Sequence, residues 1–261
     1  MPYLKSQTNS LYYKHLGLTH PAIFIHGSCL NSDMWNDSFD IVAHQRLAIV
    51  YDQRGYGKSR IKSKTKFSHE NDLFLLHKHL NLEKADLIGL SSGAQIALDF
   101  CLRYPNNVSS LTLVSPAISG VDKNFETAEI DAKILETIQS GKYKQTLQLV
   151  YNHPVFAPAI NNPRCNSLLR KIINGHNFQT VSNNPPADES YNANSRLSEI
   201  KVPTLIIIGQ NDSSYFHMTS DILKNGIAHS KLETIKHAGH MVNMEQPDRF
   251  NQELLCFLKT H

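Results

Sequence analysis

Across 261 residues the chain carries 26 lysines and arginines against 23 aspartates and glutamates, a formal +3, with no basic block or basic-aromatic interleaving of the kind nucleic acid demands. Its 4 cysteines stand far apart, without a Cys-x-x-Cys pair or a zinc-like Cys–His spacing, and no apolar run reaches the roughly 18 residues that a membrane span needs. A chain of this length buries roughly three quarters of its unfolded surface without a disulfide or metal staple, so no nucleic acid, membrane or structural metal is expected.

The first residues, MPYLKSQTNSLYYKHLG, turn polar after Lys5 and lack the continuous apolar segment of a secretory leader. Together with the unpaired thiols this predicts a cytoplasmic protein. LYYKHLG (11–17) reads as an edge strand. Further on, short β-rich runs at 21–27, 46–52, 85–91, 109–116, 203–212 and 231–240 are bounded by glycine, proline and asparagine, and most read as strands buried on both faces. Helical spacing separates them at 69–80, 94–104, 218–225 and 247–258. Strands alternating with helices predict an α/β fold, a mostly parallel central sheet flanked by helices. The sequence holds 14 histidines, but His77-x-His79 has no carboxylate partner in a ligand pattern, and nothing calls for a metal or a cofactor.

The turn after the second buried run, YDQRGYGKSR (51–60), invites two readings. Gly57-Lys58-Ser59 resembles the end of a phosphate-binding loop, which requires another glycine five residues before Gly57. That position is Asp52, whose carboxylate would repel a phosphate and whose side chain restricts the backbone. Nucleotide binding is therefore rejected, and Lys58 is read as a surface charge.

No strand is expected between 118 and 196. This stretch carries a helical stripe (Ile130, Ile134, Ile138), proline-broken segments at His153-Pro154 and Ala157-Pro158, and an exit at Asn183-Asn184-Pro185-Pro186. An insertion between two sheet strands reads as a helical cap over the strand ends, where α/β proteins place their sites. The expected division is a core of 1–117 and 197–261 with a cap of 118–196. Phe125, Tyr143, Tyr151, Phe156 and Phe178 are candidate pocket aromatics that helix packing would equally explain.

Chemistry concentrates at Gly89-Leu90-Ser91-Ser92-Gly93, between the run ADLIG and the helical stretch AQIALDFCLRY. A strand-to-helix turn this sharp needs glycine on both sides of a serine whose hydroxyl is pushed out in strained geometry, beside backbone N–H groups at a helix start. With this motif, His26-Gly27 and the Asp52-x-Arg54-Gly55-x-Gly57-x-Ser59 turn, the chain resembles the α/β-hydrolase superfamily over nearly its whole length. The C-terminal blocks Gly209-x-x-Asp212 and His237-Ala238-Gly239-His240 match in the same order.

The resemblance implies a Ser91–His240–Asp212 triad. Ser91 is the nucleophile, His240 the base and then the acid, and Asp212 the group that orients and stabilises the imidazole. The later histidine of the family pattern is preferred over His237. By the same resemblance the oxyanion hole is formed by the backbone N–H groups of Ser28 and Ser92, His26 is structural, and Trp35 belongs to the core. A serine at the elbow argues against the carboxylate-dependent dehalogenases and epoxide hydrolases of this fold. What remains is hydrolysis of a small-molecule ester or lactone, with carbon–carbon bond hydrolysis, cofactor-free perhydrolysis or a slow-turnover ligand receptor as the alternatives.

Overall fold

A computed structural model describes residues 3–5, 9–61, 67–122, 127–178 and 192–260. Nine strands make one sheet: β1 (Tyr3–Lys5), β2 (Asn9–Leu16), β3 (Pro21–Ile25), β4 (Leu47–Tyr51), β5 (Arg60–Ile61), β6 (Ala85–Leu90), β7 (Val108–Val114), β8 (Thr204–Gly209) and β9 (Ser230–Ile235). Their order is β1-β2-β4-β3-β6-β7-β8-β9, with β5 also paired to β2. From β4 to β9 every pairing is parallel, and only the pairings of β2 are antiparallel. The chain therefore has the α/β-hydrolase fold, as the sequence led us to expect.

Side-chain alternation explains the two-sided burial. In β3, Ile23 and Ile25 point into one core with Leu87, Phe100 and Leu223, while Ala22 and Phe24 point into the other with Trp35, Phe250 and Leu254. Trp35 is fully buried, its ring 5.3 Å from Phe24 and 5.9 Å from Phe250. Helices His69–His79, Ser92–Arg103 and Ser214–Gly226 supply the first core, and Asn36–Ala43 and Pro247–Lys259 supply the second.

Some boundaries differ from the sequence reading. β1, β5 and the helix Asn36–Ala43 are additional, and the helix expected at 218–225 spans Ser214–Gly226. The runs at 203–212 and 231–240 are strand only to Gly209 and Ile235; their polar ends leave the ladder as loops. β9 is also half exposed rather than buried on both faces, because it closes the edge of the sheet.

Strand order reverses at β3, which has β4 on one side and β6 on the other, so a crevice opens at the carboxyl ends of β3 and β6. Between β7 and β8 the described residues form helices Ala128–Gln139, Tyr143–Asn152, Ala157–Ile160 and Asn166–Asn174 and a 3-10 turn Ala193–Glu199, without a sheet strand. His153 ends its helix one residue before Pro154, and Pro158 falls in the first turn of the next. Leu169 and Ile173 bury into the core that holds Trp35. Phe125 and the Asn183–Pro186 exit lie outside the described residues. No helix among those described is long and apolar enough to cross a membrane.

Candidate active site

β6 ends in a turn that only small residues permit. Ser91 has φ 58 and ψ -118, a left-handed conformation that a serine adopts at a cost of about 1–3 kcal/mol. A Cβ on Gly89 would lie 2.3 Å from the Gly93 carbonyl oxygen, and one on Gly93 would lie 2.3 Å from the Ile25 carbonyl oxygen. The turn is pinned by Ser91 N–H donating to Val114 O (2.9 Å) and by Ser91 O accepting from Ala94 and Gln95 (3.0 and 3.2 Å). Helix Ser92–Arg103 starts directly behind the serine, with its positive end toward it.

The loop after β3 comes alongside. His26 is fully buried. Its Nε2 accepts the Gln53 N–H at 2.9 Å, so Nδ1 carries the proton and donates to Gly27 O at 2.8 Å. Burial pushes its pKa down, against the opposing pull of Asp52. A ring with both nitrogens committed holds the loop in place and has no free position for proton transfer. Ser28 Oγ donates to Ser92 Oγ at 3.0 Å, bridging the loop to the first residue of the helix.

Asp52 braces the same loop: its carboxylate accepts the Ser32 and Lys58 N–H groups at 2.8 and 2.7 Å. Lys58 Nζ sits 4.4 Å from the Tyr12 ring centre. Within the 51–60 turn the Lys58 N–H thus goes to the Asp52 carboxylate, and the Tyr56 and Ser59 N–H groups go to the Gln53 and Tyr56 carbonyls at 2.9 Å each.

Asp212 and His240 come from the loops after β8 and β9. Their side chains are 2% and 1% exposed, and His240 Nδ1 lies 3.0 and 3.2 Å from the two Asp212 oxygens. Burial alone would raise the Asp212 pKa. The charge and hydrogen bond of His240, the Ser115 hydroxyl and the Ser213 N–H (2.8 Å) outweigh it and hold the carboxyl below its ordinary value. His240 Nε2 is buried and has no hydrogen-bond partner among the described residues. The Phe216 ring packs 4.1 Å from the imidazole. His237 is exposed on the turn, at φ 58.

Ser91 and His240 line one cavity of about 190 Å³, walled by Leu30, Leu90, Ile134, Val150 and Phe156. Of the candidate aromatics only Phe156 reaches it among the described residues. Tyr143 donates instead to Asn174 O at 2.7 Å, and Tyr151 donates to the Asn174 side chain. The sequence reading missed Asp131 and His153 in the wall and Glu245 behind His240. The Asp131–His153 pair carries no motif, and Glu245 acts through loop geometry that no spacing rule describes. Among the described residues no group of three or more His, Cys, Asp or Glu side chains is placed to hold a metal.

The chain is similar to known hydrolases. The family model described as alpha/beta hydrolase fold matches residues 21–148. A proline iminopeptidase of Lactobacillus crispatus is 26% identical over all of this chain and 97% of its own length. An uncharacterized carboxylesterase, nap, of Bacillus subtilis is 25% identical over 91% of this chain and 78% of its own. Among solved structures, the enol-lactonase of Burkholderia xenovorans LB400 superposes with a TM-score of 0.81 at 18% identity, covering 99% of this chain and 100% of that one.

Proposed function

The chain belongs to the alpha/beta hydrolase superfamily, and on that premise we propose that it is a serine hydrolase cleaving small carboxylic esters or lactones through an acyl-enzyme on Ser91. The observation that carries this reading is the buried Asp212–His240 pair, whose second imidazole nitrogen is unpartnered and which shares a cavity with Ser91. The carboxylesterase relative supports the ester branch, and the fold shared with an enol-lactonase is compatible with the lactone branch.

In this mechanism His240 Nε2 takes the proton from Ser91 Oγ as the oxygen attacks the carbonyl carbon. The backbone N–H groups of Ser28 and Ser92, backed by the helix start, receive the developing oxyanion. His240 then delivers the proton to the departing alkoxide. Water, deprotonated by His240 in turn, attacks the acyl carbon and releases the acid and free Ser91. Asp212 stays ionised throughout and fixes which nitrogen of His240 faces the serine.

The test is covalent labelling with a neutral fluorophosphonate, followed by peptide mapping. Ser91 is labelled in the native chain and in His237→Ala, and it is not labelled in His240→Ala. The reverse pattern, or labelling at another serine, overturns the assignment.

A further inference from the structure

A second cavity, about 340 Å³, also reaches Ser91 and is lined by Gln95, Thr127, Ser213, Tyr215 and Phe216. The two chambers share Ser28, Ser91, Asp131, His153 and Val155, so Asp131 and His153 stand in the wall common to both, where they meet at the serine. The carboxylate is fixed. One oxygen lies 3.2 Å from His153 Nε2 and the other accepts the Thr127 hydroxyl at 2.8 Å, while the Val155 N–H donates to His153 Nδ1 at 3.2 Å. An imidazole that accepts at Nδ1 carries its proton on Nε2, and in that neutral tautomer it donates to Asp131 without cancelling its charge. Burial, which pushes the His153 pKa down against the pull of Asp131, favours this form. Among the described residues neither chamber is lined by a lysine or arginine.

We propose that Asp131, held by His153 and Thr127 in the wall shared by the two chambers, selects substrates that are uncharged or carry a cationic or hydrogen-bond-donating group near the scissile bond. Substrates bearing a carboxylate there are rejected. This rests on the hydrolase reading of Ser91 and narrows its substrate class. The Asp131 side chain is 58% exposed, so the discrimination is of moderate size, on the order of ten-fold between opposite charges at low salt, and it weakens as salt rises. A carboxylate-bearing substrate would meet like charge and no compensating cation among the described residues, which disfavours the dianionic products of ring cleavage.

Three acetate esters of similar size test the idea: those of choline (cationic), 3,3-dimethylbutanol (neutral) and 4-hydroxybutyrate (anionic). The quantity read is the ratio of kcat/KM for cation over anion within each protein, so that any overall loss of rate cancels. The native chain gives a ratio of about ten or more at low ionic strength, reduced in 0.5 M salt on the order of several-fold. Asp131→Asn brings the ratio close to one while Ser91 is still labelled by a neutral fluorophosphonate. An unchanged ratio in Asp131→Asn, or a native ratio of one or below, overturns the proposal and leaves the hydrolase reading intact. No labelling and no turnover of any ester overturns both.

Discussion

The carboxylate of Glu245 holds His240 from both sides along the chain: Oε2 accepts the Gly239 N–H at 2.9 Å and Oε1 accepts the Met241 N–H at 3.0 Å. Burial pushes the Glu245 pKa up, and those two hydrogen bonds oppose the shift. The loop after β9 thus reaches Asp212 with its backbone already fixed. Replacing Glu245 by glutamine leaves only one accepting atom and turns an NH2 donor against a backbone donor. We expect Glu245→Gln to lower kcat by about ten-fold with little change in KM, and to lower stability by about 1–3 kcal/mol. Steady-state kinetics and thermal melts check both, and an unchanged kcat would show that the grip serves the fold alone.

Asp212→Asn should lose about 10⁴-fold in turnover, because an amide facing Nδ1 favours the wrong imidazole tautomer. The native carboxyl is held below its ordinary range, so it is ionised at both pH 6 and pH 8. A large loss is therefore expected at both pH values. A variant that recovered at one of them would contradict the role given to the charge.

A cluster of rings predicts acid lability. Tyr56 stacks on His176 at 5.0 Å and lies 6.5 Å from His69. Burial, helped by the neighbouring Arg54 charge, pushes His69 down to about 3, and burial pushes His176 down to about 4. In the unfolded chain both titrate near 6.5. Below that pH the unfolded state takes up protons that the native state refuses, so stability falls as pH drops from about 6.5 toward 4, by up to ~1.4 kcal/mol per pH unit for each histidine. Above pH 6.5 the two contribute no slope. Melting temperatures between pH 8 and pH 5 should show this decline, and His176→Phe should make it shallower.

Thiol chemistry separates the four cysteines. Burial, with Asp131 adding to it, pushes Cys29 up to about 12, and burial pushes Cys101 to about 12 and Cys165 to about 11. Cys256 is exposed on the last helix. Brief iodoacetamide treatment of the folded protein at pH 8 should modify Cys256 alone, as read by peptide mass, and leave ester turnover intact. Rapid modification of Cys29, which lines the cavity, would contradict this.

The sheet was legible because its central strands are dense in valine, isoleucine and leucine between glycine and proline stops, as in PAIFI and TLIII. The elbow was legible because its steric demand is local to five residues, Gly89 to Gly93. Asp212 and His240 could be named from their places after two successive strands, but their contact depends on loops turning through His237 and Gly239. Helix Asn36–Ala43 was missed because only Ser38, Phe39 and Val42 of its residues are buried, too few for a visible stripe. The two-residue β5 carries no pattern at all. Asp131 and His153 are 22 residues apart, one on a helix and the other at the end of the next, and only packing brings both into the wall of the cavity that Ser91 lines.

Ser91 occupies a backbone conformation that glycine enters freely and serine does not. Folding alone would favour glycine at this position, so Ser91→Gly should raise the melting temperature while abolishing turnover. A lineage that no longer needed the chemistry would gain stability by this single replacement. The elbow is therefore where a descendant drifting toward a ligand-binding role would be expected to change first, before the sheet or the Asp212–His240 pair.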